Sequence, residues 1–332
     1  MNDQDWNIGR LMGTSGSYWQ ACTLHAGVKL DIFTQIGDED LDAQTVAERL
    51  QGDLRGVEML LNALTAMQLL NKSEGRFRNS EFARKVLVKD APQYMGYMIK
   101  HHHYLVESWA HLDQAVQTGR PVRKRSVQAD DDRRESFLMG MFNNAMGTAP
   151  QVAKIVDLTG RRNLLDLGGG PGTYAIHFCK INKQLQAVVY DLPTTRPFAE
   201  KVISNFGLSD RIAFKGGDFL AEELQGSFDV VWLSHILHAE APADCHRMIR
   251  KAAAALEPGG LMVIHDFILE NTMDGPTFPA LFALNMLIGT PAGQSYSEDQ
   301  IMDMLAQAGI DQTTRLPFRG PTESGIITGI KS

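Results

Sequence analysis

The chain has little cysteine and no long apolar segment. Its 332 residues include three cysteines, Cys22, Cys179 and Cys245, which lie far apart and form no Cys-x-x-Cys pair. An odd and scattered set argues against a disulfide framework or a structural zinc site, and it fits a reducing cytoplasm. No run of about 18 apolar residues is present, so we expect no membrane span. Residues 1–10 lack the apolar core of a signal peptide.

Positive charge is also scarce. Lys and Arg number 32 against 39 Asp and Glu, which gives a formal net charge of −7 at pH 7. A chain with this balance has no general attraction to nucleic acid or to an anionic membrane, so we expect neither as a partner. Apolar residues make up 44% of the chain, which is enough for globular cores. The length favours more than one domain.

The first third of the chain has a mainly helical pattern. Apolar residues recur with a period of about 3.6 over residues 18–36 and 46–70, and residues 69–78 resemble two short strands around a turn. Helices followed by a hairpin predict a winged-helix-like unit over residues 1–100. The segment where a DNA-reading helix would lie, Leu54–Leu70, contains only Arg55 as a base, so dimerisation is the better interpretation.

A helical connector is predicted over residues 101–158. We expect one long helix at Tyr94–Thr118, a polar and charged link over residues 123–135, and a second helix at Phe137–Leu158. The connector leads directly into the most regular part of the sequence.

Histidines on the first connector helix invite a metal interpretation. His103, Glu107 and His111 are spaced four apart and therefore share one face of a helix. That face lies opposite the apolar stripe that contains Leu105 and Trp109, and a solvated face is the simpler interpretation. We expect no metal ion here or elsewhere in the chain.

Residues 159–332 alternate between strand-like and helical patterns. The predicted strands are Asn163–Leu167, Gln186–Asp191, Ile212–Lys215, Phe228–Leu233 and Leu261–Phe267. The predicted helices are Thr173–Ile181, Thr195–Phe206, Ala243–Leu256, Phe278–Leu287 and Ser297–Ala308. A closing hairpin is expected from Ile310–Phe318 and Glu323–Lys331. This order predicts the α/β class, with a Rossmann-like, mostly parallel seven-stranded sheet that binds its ligand at the carboxyl ends of the strands.

A glycine-rich turn after the first of these strands indicates a nucleoside site. Residues Asn163–Thr173 read NLLDLGGGPGT, and the next apolar run ends at Asp191. Gly168, Gly170 and Gly172 let the backbone approach a ligand where a Cβ would clash. The carboxylate of Asp191 can accept hydrogen bonds from ribose hydroxyls.

Further residues decide which nucleoside this is. Thr173 stands where a dinucleotide fingerprint has its third glycine, and Asp166 comes before the glycines. Both features favour S-adenosylmethionine (SAM), which has no pyrophosphate for a helix N-terminus to hold. After the third strand, Asp218 can accept from the adenine amino group and Phe219 can pack on the ring, although Asp218 could instead cap a helix.

The ordered motifs resemble those of the class I SAM-dependent O-methyltransferases of the caffeate, hydroxyindole and polyketide type, over nearly the whole chain. The motifs are Asp166–Gly172, Tyr190–Pro193, Gly217–Phe219, Leu237–His238 with Cys245, Pro258–Gly260, Ile264–Phe267, Ala26–Phe33 and Glu107–Leu112. The resemblance implies a winged-helix-like dimerisation domain, a homodimer whose N-terminal segments help to close the partner's site, and SAM as donor with S-adenosylhomocysteine (SAH) as product. It also implies cofactor contacts at Leu192 and at Ser234, which stands where the family often has Lys.

Methyl transfer from a sulfonium to oxygen starts from an activated donor, so the protein must supply alignment and a base for the hydroxyl proton. His235 and His238 follow the fourth strand and, three residues apart, could face one cleft. The family base lies seven positions before a cysteine, which selects His238, seven before Cys245. The resemblance implies that Asp266 orients this base and that His235, in place of a family Trp, lines the pocket.

The acceptor side is marked by apolar and aromatic positions. Some of these positions match family acceptor pockets, and others lie near the apolar stripe of the first connector helix. Together they are His102, Trp109, Phe142, Met146, Asn285, Met286 and Thr290. Methionines adapt to flat apolar ligands. The resemblance therefore implies a small, ring-bearing acceptor.

Two departures from the family pattern keep three hypotheses open. Ala239 stands where an Asp usually follows the base, and Ser295 where a second acid is expected. The first hypothesis is O-methylation of a small aromatic or polyketide-like hydroxyl. The second is C-methylation of a tetrapyrrole-like acceptor, which His235, His102 and His265 could contact. The third is a non-catalytic, SAM-binding regulatory protein, against which the retained base and its carboxylate argue.

Overall fold

The computed structural model describes residues 6–123 and 131–332. These residues divide into two compact units, one formed by residues 6–105 with 135–143 and the other by residues 106–123, 131–134 and 144–332. In the described part of the chain, no helix combines the length and the apolar character needed to cross a membrane.

The N-terminal part of the chain consists of helices and a small sheet. Its elements are α1 Ile8–Gly16, α2 Tyr18–Lys29, α3 Ile32–Ile36, β1 Leu41–Asp42, α4 Ala43–Leu50, α5 Leu54–Ala66, β2 Leu70–Ser73, β3 Arg76–Asn79, α6 Glu81–Val86 and α7 Gly96–Trp109. The hairpin of β2 and β3 confirms the predicted pair of short strands, and β1 adds to β3 to give a three-stranded sheet. Buried apolar side chains that include Phe33, Leu61 and Phe77 form the core of this part.

The predicted connector differs from the observed one. The helix predicted at Tyr94–Thr118 is two helices, because α7 ends at Trp109 and α8 begins at Leu112 and ends at Thr118. At His111 the backbone leaves helical geometry, and Nδ1 of its ring lies 2.8 Å from the carbonyl oxygen of Glu107. Helix α9, Asp131–Ile155, begins inside the predicted polar link, with two acidic residues in its first turn, which favours a helix start. Residues 124–130 of that link lie outside the described residues.

The remaining elements alternate as predicted. They are β4 Asn163–Leu167, α10 Thr173–Ile181, β5 Gln186–Asp191, α11 Arg196–Asn205, β6 Ile212–Gly216, β7 Phe228–Ser234, α12 Pro242–Ala255, β8 Leu256–Asp266, α13 Thr277–Gly289, α14 Glu298–Gln307, β9 Ile310–Arg315 and β10 Gly325–Lys331. The seven strands have the order β6-β5-β4-β7-β8-β10-β9. Strands β6, β5, β4, β7 and β8 are parallel to one another, and β10 runs antiparallel to both of its neighbours. The predicted α/β class and mostly parallel sheet are confirmed.

The order of the strands in the sheet indicates where a ligand would bind. From β4 the chain moves outward through β5 and β6 and then returns to the other side of β4 with β7. Ligands of open parallel sheets bind at such a reversal, beyond the carboxyl ends of the strands. The strands themselves are buried apolar runs, with Leu165, Trp232 and Ile264 less than 3% exposed, so polar groups can face a ligand only at these ends.

Candidate functional site

The turn between β4 and α10 is shaped by three glycines. Gly168, Gly170 and Gly172 have φ values of 67°, 54° and 80°, which side chains disfavour. A Cβ on Gly168 would lie 2.1 Å from Cδ1 of Ile236, and one on Gly172 would lie 3.1 Å from Cγ2 of Val189. A Cβ on Gly170 would meet nothing within 4 Å. Close packing therefore requires the outer glycines, whereas the middle one borders open space that a ligand could fill.

The buried carboxyl of Asp166 lies behind this turn. Its Oδ2 accepts from the amide of Ala175 at 3.4 Å, and its Oδ1 has no hydrogen-bond partner among the residues that the structure describes. Burial raises the pKa of Asp166 to about 7, with a contribution from Asp191, although the bond from Ala175 opposes the shift. A buried polar atom without a partner fits a site that a polar or cationic ligand completes.

Asp191 ends β5 beside the same turn. Its Oδ2 accepts from the amide of Gly170 at 2.8 Å, and its Oδ1 accepts from the amide of Leu192 at 2.7 Å and the hydroxyl of Thr195 at 3.0 Å. Burial raises the pKa of Asp191, while these three bonds act in the opposite direction. The carboxylate thus ties the middle glycine to the neighbouring strand, at the edge where the nucleoside site was predicted.

The other predicted cofactor residues follow β6 and β7. Asp218 is exposed, and its Oδ1 accepts from the amide of Leu220 at 2.9 Å. The residues after it form a turn, so Asp218 does not cap a helix. Phe219 is half-buried against the core of the sheet. Ser234 ends β7, and its Oγ lies 3.1 Å from Nδ1 of His265.

His238 and Asp266 form a buried pair. Nδ1 of His238, in the turn after β7, lies 2.6 Å from Oδ1 of Asp266, the last residue of β8. Burial by itself raises the pKa of Asp266, but the charge and hydrogen bond of His238, together with His235 and the amide of Phe267, lower it to about 2. An ionised carboxylate only accepts hydrogen bonds, so Nδ1 carries a proton, and in the neutral ring Nε2 is then the nitrogen with the lone pair. The structure therefore brings the predicted base and its carboxylate together in the orientation that a base needs.

His235 lies against the same pair. Its ring is 4.5 Å from the rings of His265 and Phe267, and its Nδ1 is 3.8 Å from Oδ1 of Asp266. Although 27% of the His235 side chain is exposed, Nδ1 itself is buried. Burial lowers the pKa of His235 to about 4, and His238 acts in the same direction, whereas Asp266 opposes. The ring is therefore neutral at physiological pH.

His265 is engaged on both ring nitrogens. Its Nδ1 lies 3.1 Å from Oγ of Ser234 and its Nε2 lies 3.0 Å from Oγ of Ser324. The residue is 1% exposed, and burial together with His235 lowers its pKa well below the usual value. A ring held in this way has no nitrogen to offer to a tetrapyrrole metal, which removes one contact that the C-methylation hypothesis used.

Aromatic side chains that the sequence reasoning missed surround the base. The ring of Phe282 on α13 is 4.7 Å from that of His238, and Phe267 stacks on His238 at 5.7 Å. Phe278 contacts both of these phenylalanines. Phe282 lies one helical turn before the predicted pocket residue Asn285, and that spacing was the signal that could have identified it.

The predicted acceptor residues on and after α13 lie close to this aromatic group in sequence. Oδ1 of Asn285 lies 3.5 Å from Nη2 of Arg123, a half-buried arginine that was not predicted as a site residue. Burial lowers the pKa of the Arg123 guanidinium. Met286 and Thr290 are buried, and the hydroxyl of Thr290 donates to the carbonyl of Met286 and accepts from the amide of Gly293.

The remaining predicted acceptor residues lie on α7 and α9. His102 is exposed, and it is His101 that is buried, 5.2 Å from the ring of Phe137. Trp109 is half-buried at the end of α7. Phe142 and Met146 are half-buried on α9, and Sδ of Met146 lies 3.4 Å from Nε2 of His177.

Three features together define a class I methyltransferase. They are a parallel sheet that reverses at β4, a glycine turn backed by a buried acid, and a histidine–carboxylate pair at the next strand ends. Residues 109–311 match the family model for the O-methyltransferase domain, and residues 12–89 match that for the O-methyltransferase dimerisation domain. The chain belongs to the O-methyltransferase family. It is a SAM-dependent methyltransferase, and its dimerisation domain supports a homodimer.

Individual relatives agree with this assignment. The chain is 33% identical over 320 residues to 3-hydroxy-5-methyl-1-naphthoate 3-O-methyltransferase of Streptomyces sahachiroi, which covers 95% of this chain and 92% of the relative. A solved structure of PigF with SAH is 27% identical, with a TM-score of 0.89 and coverage of 98% and 100%. An O-methyltransferase family protein from Burkholderia thailandensis is 25% identical, with a TM-score of 0.88 and coverage of 99% of each chain.

Proposed function

We propose that this chain methylates a hydroxyl group of a small aromatic or polyketide-like acceptor, with His238 as the general base. The observation that carries the proposal is the buried pair of His238 and Asp266, in which the carboxylate fixes the proton on Nδ1. Nε2 can then take the hydroxyl proton as the new bond to carbon forms, and Asp266 stabilises the imidazolium that results. SAM supplies the methyl group already activated on a positively charged sulfur.

The residues at the strand ends fit SAM. We assign the ribose to Asp191 and the backbone of Leu192, the adenine to Asp218 and Phe219, and a supporting contact to Ser234. The glycine turn supports this assignment because Gly170 borders open space. The unsatisfied buried oxygen of Asp166 supports a contact with the cationic amino group of the donor.

A flat, ring-bearing acceptor suits the surroundings of the base. Phe267, Phe278 and Phe282 present ring faces and edges next to His238, and aromatic groups favour such neighbours. We include Asn285, Met286 and Thr290 in this pocket, together with Trp109 and Met146 from the connector. The relative that acts on a hydroxylated naphthoate supports an acceptor of this class.

The finer form of the dimer is also a proposal. We infer that N-terminal segments of one protomer help to close the acceptor site of its partner. Large apolar side chains in and beside α1 and α2 are strongly exposed, including Trp6 at 64%, Ile8 at 81% and Trp19 at 68%. Exposed apolar groups of this size commonly mark an interface, and they support burial against a second copy.

A reducing, cytoplasmic setting is part of the same proposal. Cys22, Cys179 and Cys245 are free thiols, and the last two are buried. Burial raises the pKa of Cys179 to about 11 and that of Cys245 to about 12, so both remain protonated.

The proposed function is tested by transfer of labelled methyl from SAM to a panel of hydroxylated aromatic acids, each paired with an analogue that lacks the hydroxyl. We expect label only in the hydroxylated members, with one SAH formed per methyl transferred. Label on a ring carbon of a hydroxyl-free analogue would contradict O-methylation and favour the carbon-acceptor hypothesis.

SAM affinity is expected to rise with pH up to about 7. In the free protein Asp166 is protonated below its pKa of about 7, and a neighbouring cation favours its ionised form. Binding therefore releases a proton below pH 7, and affinity falls by up to about tenfold per pH unit as the pH decreases. Isothermal titration of SAM between pH 5.5 and pH 8.5 measures this. Asp166→Asn is the control, and an unchanged slope in that variant would show that another group, such as Asp191, titrates instead.

Alanine at two of the glycines is expected to separate folding from SAM binding. Gly168→Ala and Gly170→Ala both place a side chain at positive φ, which costs about 1–2 kcal/mol. Only Gly168→Ala also clashes with Ile236, so its midpoint of thermal unfolding should fall further. Gly170→Ala should fold but bind SAM weakly, because its methyl group fills the open space. Normal SAM affinity in Gly170→Ala would place the cofactor elsewhere.

A further inference from the structure

The geometry points to a second capability of the catalytic pair: His235, His238 and Asp266 together form a three-ligand site for a divalent transition-metal ion of the Zn²⁺ type. One ligand atom from each residue lies within 4.8 Å of the other two. The three residues come from the end of β8 and from the turn after β7, so parallel neighbouring strands hold them in place. We call this set the His-His-Asp site.

Two atoms of the His-His-Asp site are buried without a hydrogen bond. Within residues 6–123 and 131–332, Nδ1 of His235 and Oδ2 of Asp266 have no partner. Asp266 is 3% exposed, and such a group normally has all of its strong acceptor sites occupied. A cation bound by Nδ1 of His235 and by both oxygens of the Asp266 carboxylate would give each of these atoms a partner.

Two of the three distances between ligand atoms are close to those that a zinc ion needs, and the third is at most 4.8 Å. With bonds of about 2.0–2.2 Å, adjacent ligands of a tetrahedral ion lie about 3.3 Å apart. Nδ1 of His235 is 3.8 Å from Oδ1 of Asp266, and Nδ1 of His238 is 2.6 Å from the same oxygen. The first distance must shrink and the second must grow, each by less than an ångström, which side-chain rotation can supply.

The chemistry of the three ligands selects the class of metal. Two imidazoles and one carboxylate favour Zn²⁺ and Fe²⁺ over Mg²⁺ or Ca²⁺, which prefer oxygen. Nδ1 of His235 has no hydrogen-bond partner among the described residues, so this atom is free of competing contacts within that part of the chain. The neighbouring thiol of Cys245 does not compete, since it donates to the carbonyl of Leu237 and burial raises its pKa to about 12.

The backbone conformation at His235 supports a preformed ligand site. His235 has a φ of 53°, in the left-handed region that residues with side chains rarely adopt, and its amide donates to the carbonyl of His265 at 2.8 Å. Strain of this kind persists where the surrounding structure requires it, and it occurs often at functional sites. In this conformation Nδ1 of His235 lies 3.8 Å from Oδ1 of Asp266, and a Trp at this position could not act as a ligand.

Occupation of the His-His-Asp site turns the base off. A metal bound to Nδ1 of His238 takes that lone pair, so the single proton of the neutral ring moves to Nε2. Nε2 then has no lone pair with which to accept the proton of the acceptor hydroxyl. This consequence rests on the proposed role of His238, whereas the metal site itself does not.

Zn²⁺ titration tests the site without any measurement of activity. Full-length protein is freed of metal with a chelator that is then removed, and Zn²⁺ binding is followed by competition with a chromogenic chelator. We expect one Zn²⁺ per chain, and at least tenfold weaker binding in His235→Phe. His246→Phe, an unrelated histidine on α12, is the matched control and should bind as wild type does. Equal affinity in both variants, or no saturable binding, overturns the site, and circular dichroism confirms that each variant is folded.

A second measurement tests the consequence. Methyl transfer by wild-type protein should fall as Zn²⁺ rises, with a midpoint at the dissociation constant from the titration, and a chelator should restore it. At the same Zn²⁺ concentration, the factor by which Zn²⁺ lowers the rate should be at least ten times smaller in His235→Phe than in wild type. If Zn²⁺ binds at the His-His-Asp site but leaves the rate unchanged, the proposed inhibition is wrong. That result would also count against His238 as the base. Absence of binding, in contrast, would leave the proposed function standing.

Discussion

A His238→Ala variant is expected to bind SAM normally and to lose about 100- to 10,000-fold in the rate of methyl transfer, the range that general-base catalysis contributes. The imidazole of His238 is hydrogen-bonded to a buried carboxylate, and alanine leaves the hydroxyl proton without this acceptor. The SAM site, as proposed, uses the ends of β4 to β7 and does not include this ring. Single-turnover transfer of labelled methyl and isothermal titration of SAM measure the two effects separately.

Two controls make this result specific. His246→Ala removes a histidine from α12 and should leave both measurements unchanged. His238→Gln keeps a polar side chain of similar length but cannot act as a base near neutral pH, so it should be as slow as His238→Ala. Wild-type turnover in either His238 variant would show that the acceptor loses its proton without His238.

Asp266→Asn is expected to lower kcat by as much as about 10,000-fold, because loss of an orienting carboxylate leaves the base in the wrong tautomer. An amide can donate to Nδ1 of His238, and the proton of the ring then lies on Nε2. The side chain hardly changes in volume, so the variant should still fold. The kinetic measurement is kcat against pH, since a purely structural defect would lower the rate without changing the profile.

The acid limb of the stability profile offers an independent measurement on Asp266→Asn. The folded-state pKa of Asp266, about 2, is below its ordinary value near 4. Its contribution to stability is therefore complete above pH 4 and disappears as the pH falls toward 2. Urea unfolding across this range should show a shallower loss in Asp266→Asn than in wild type. Asp299→Asn, an exposed acid on α14, is the matched control, and identical acid limbs in all three proteins would contradict the charge assignment.

Local patterns were enough to predict the parallel half of the fold. Strand β4 and helix α10 have the bounds that the sequence predicted, because an apolar run that stops at glycine and a helix that follows it leave few alternatives. The glycine turn and Asp191 were predicted for the same reason, since each stands where a strand ends. The pairing of His238 with Asp266 needed the family resemblance, because nothing near either residue in sequence indicates the other.

What the sequence could not give depends on helical phase and on contacts between distant segments. His102 was predicted near the apolar stripe, but His101 is the buried residue, and one position along a helix is a rotation of about 100°. The break at His111 comes from a ring-to-backbone contact that periodicity does not show. The position of His235 beside Asp266 could not be predicted from local patterns either, because Asp266 lies at the end of β8, far from His235 in sequence.

Strand β8 carries Asp266 between two hydrogen-bonded neighbours, with β7 on one side and β10 on the other, and Gly325 is paired directly with Asp266. Ser324, just before β10, also holds the ring of His265. During synthesis of the chain, residues 163–266 emerge well before residues 324–331. Until those later residues arrive, β8 is an edge strand and its carboxylate lacks one neighbour. The proposed catalytic carboxylate therefore gains its second neighbouring strand only when the last strand of the sheet is added.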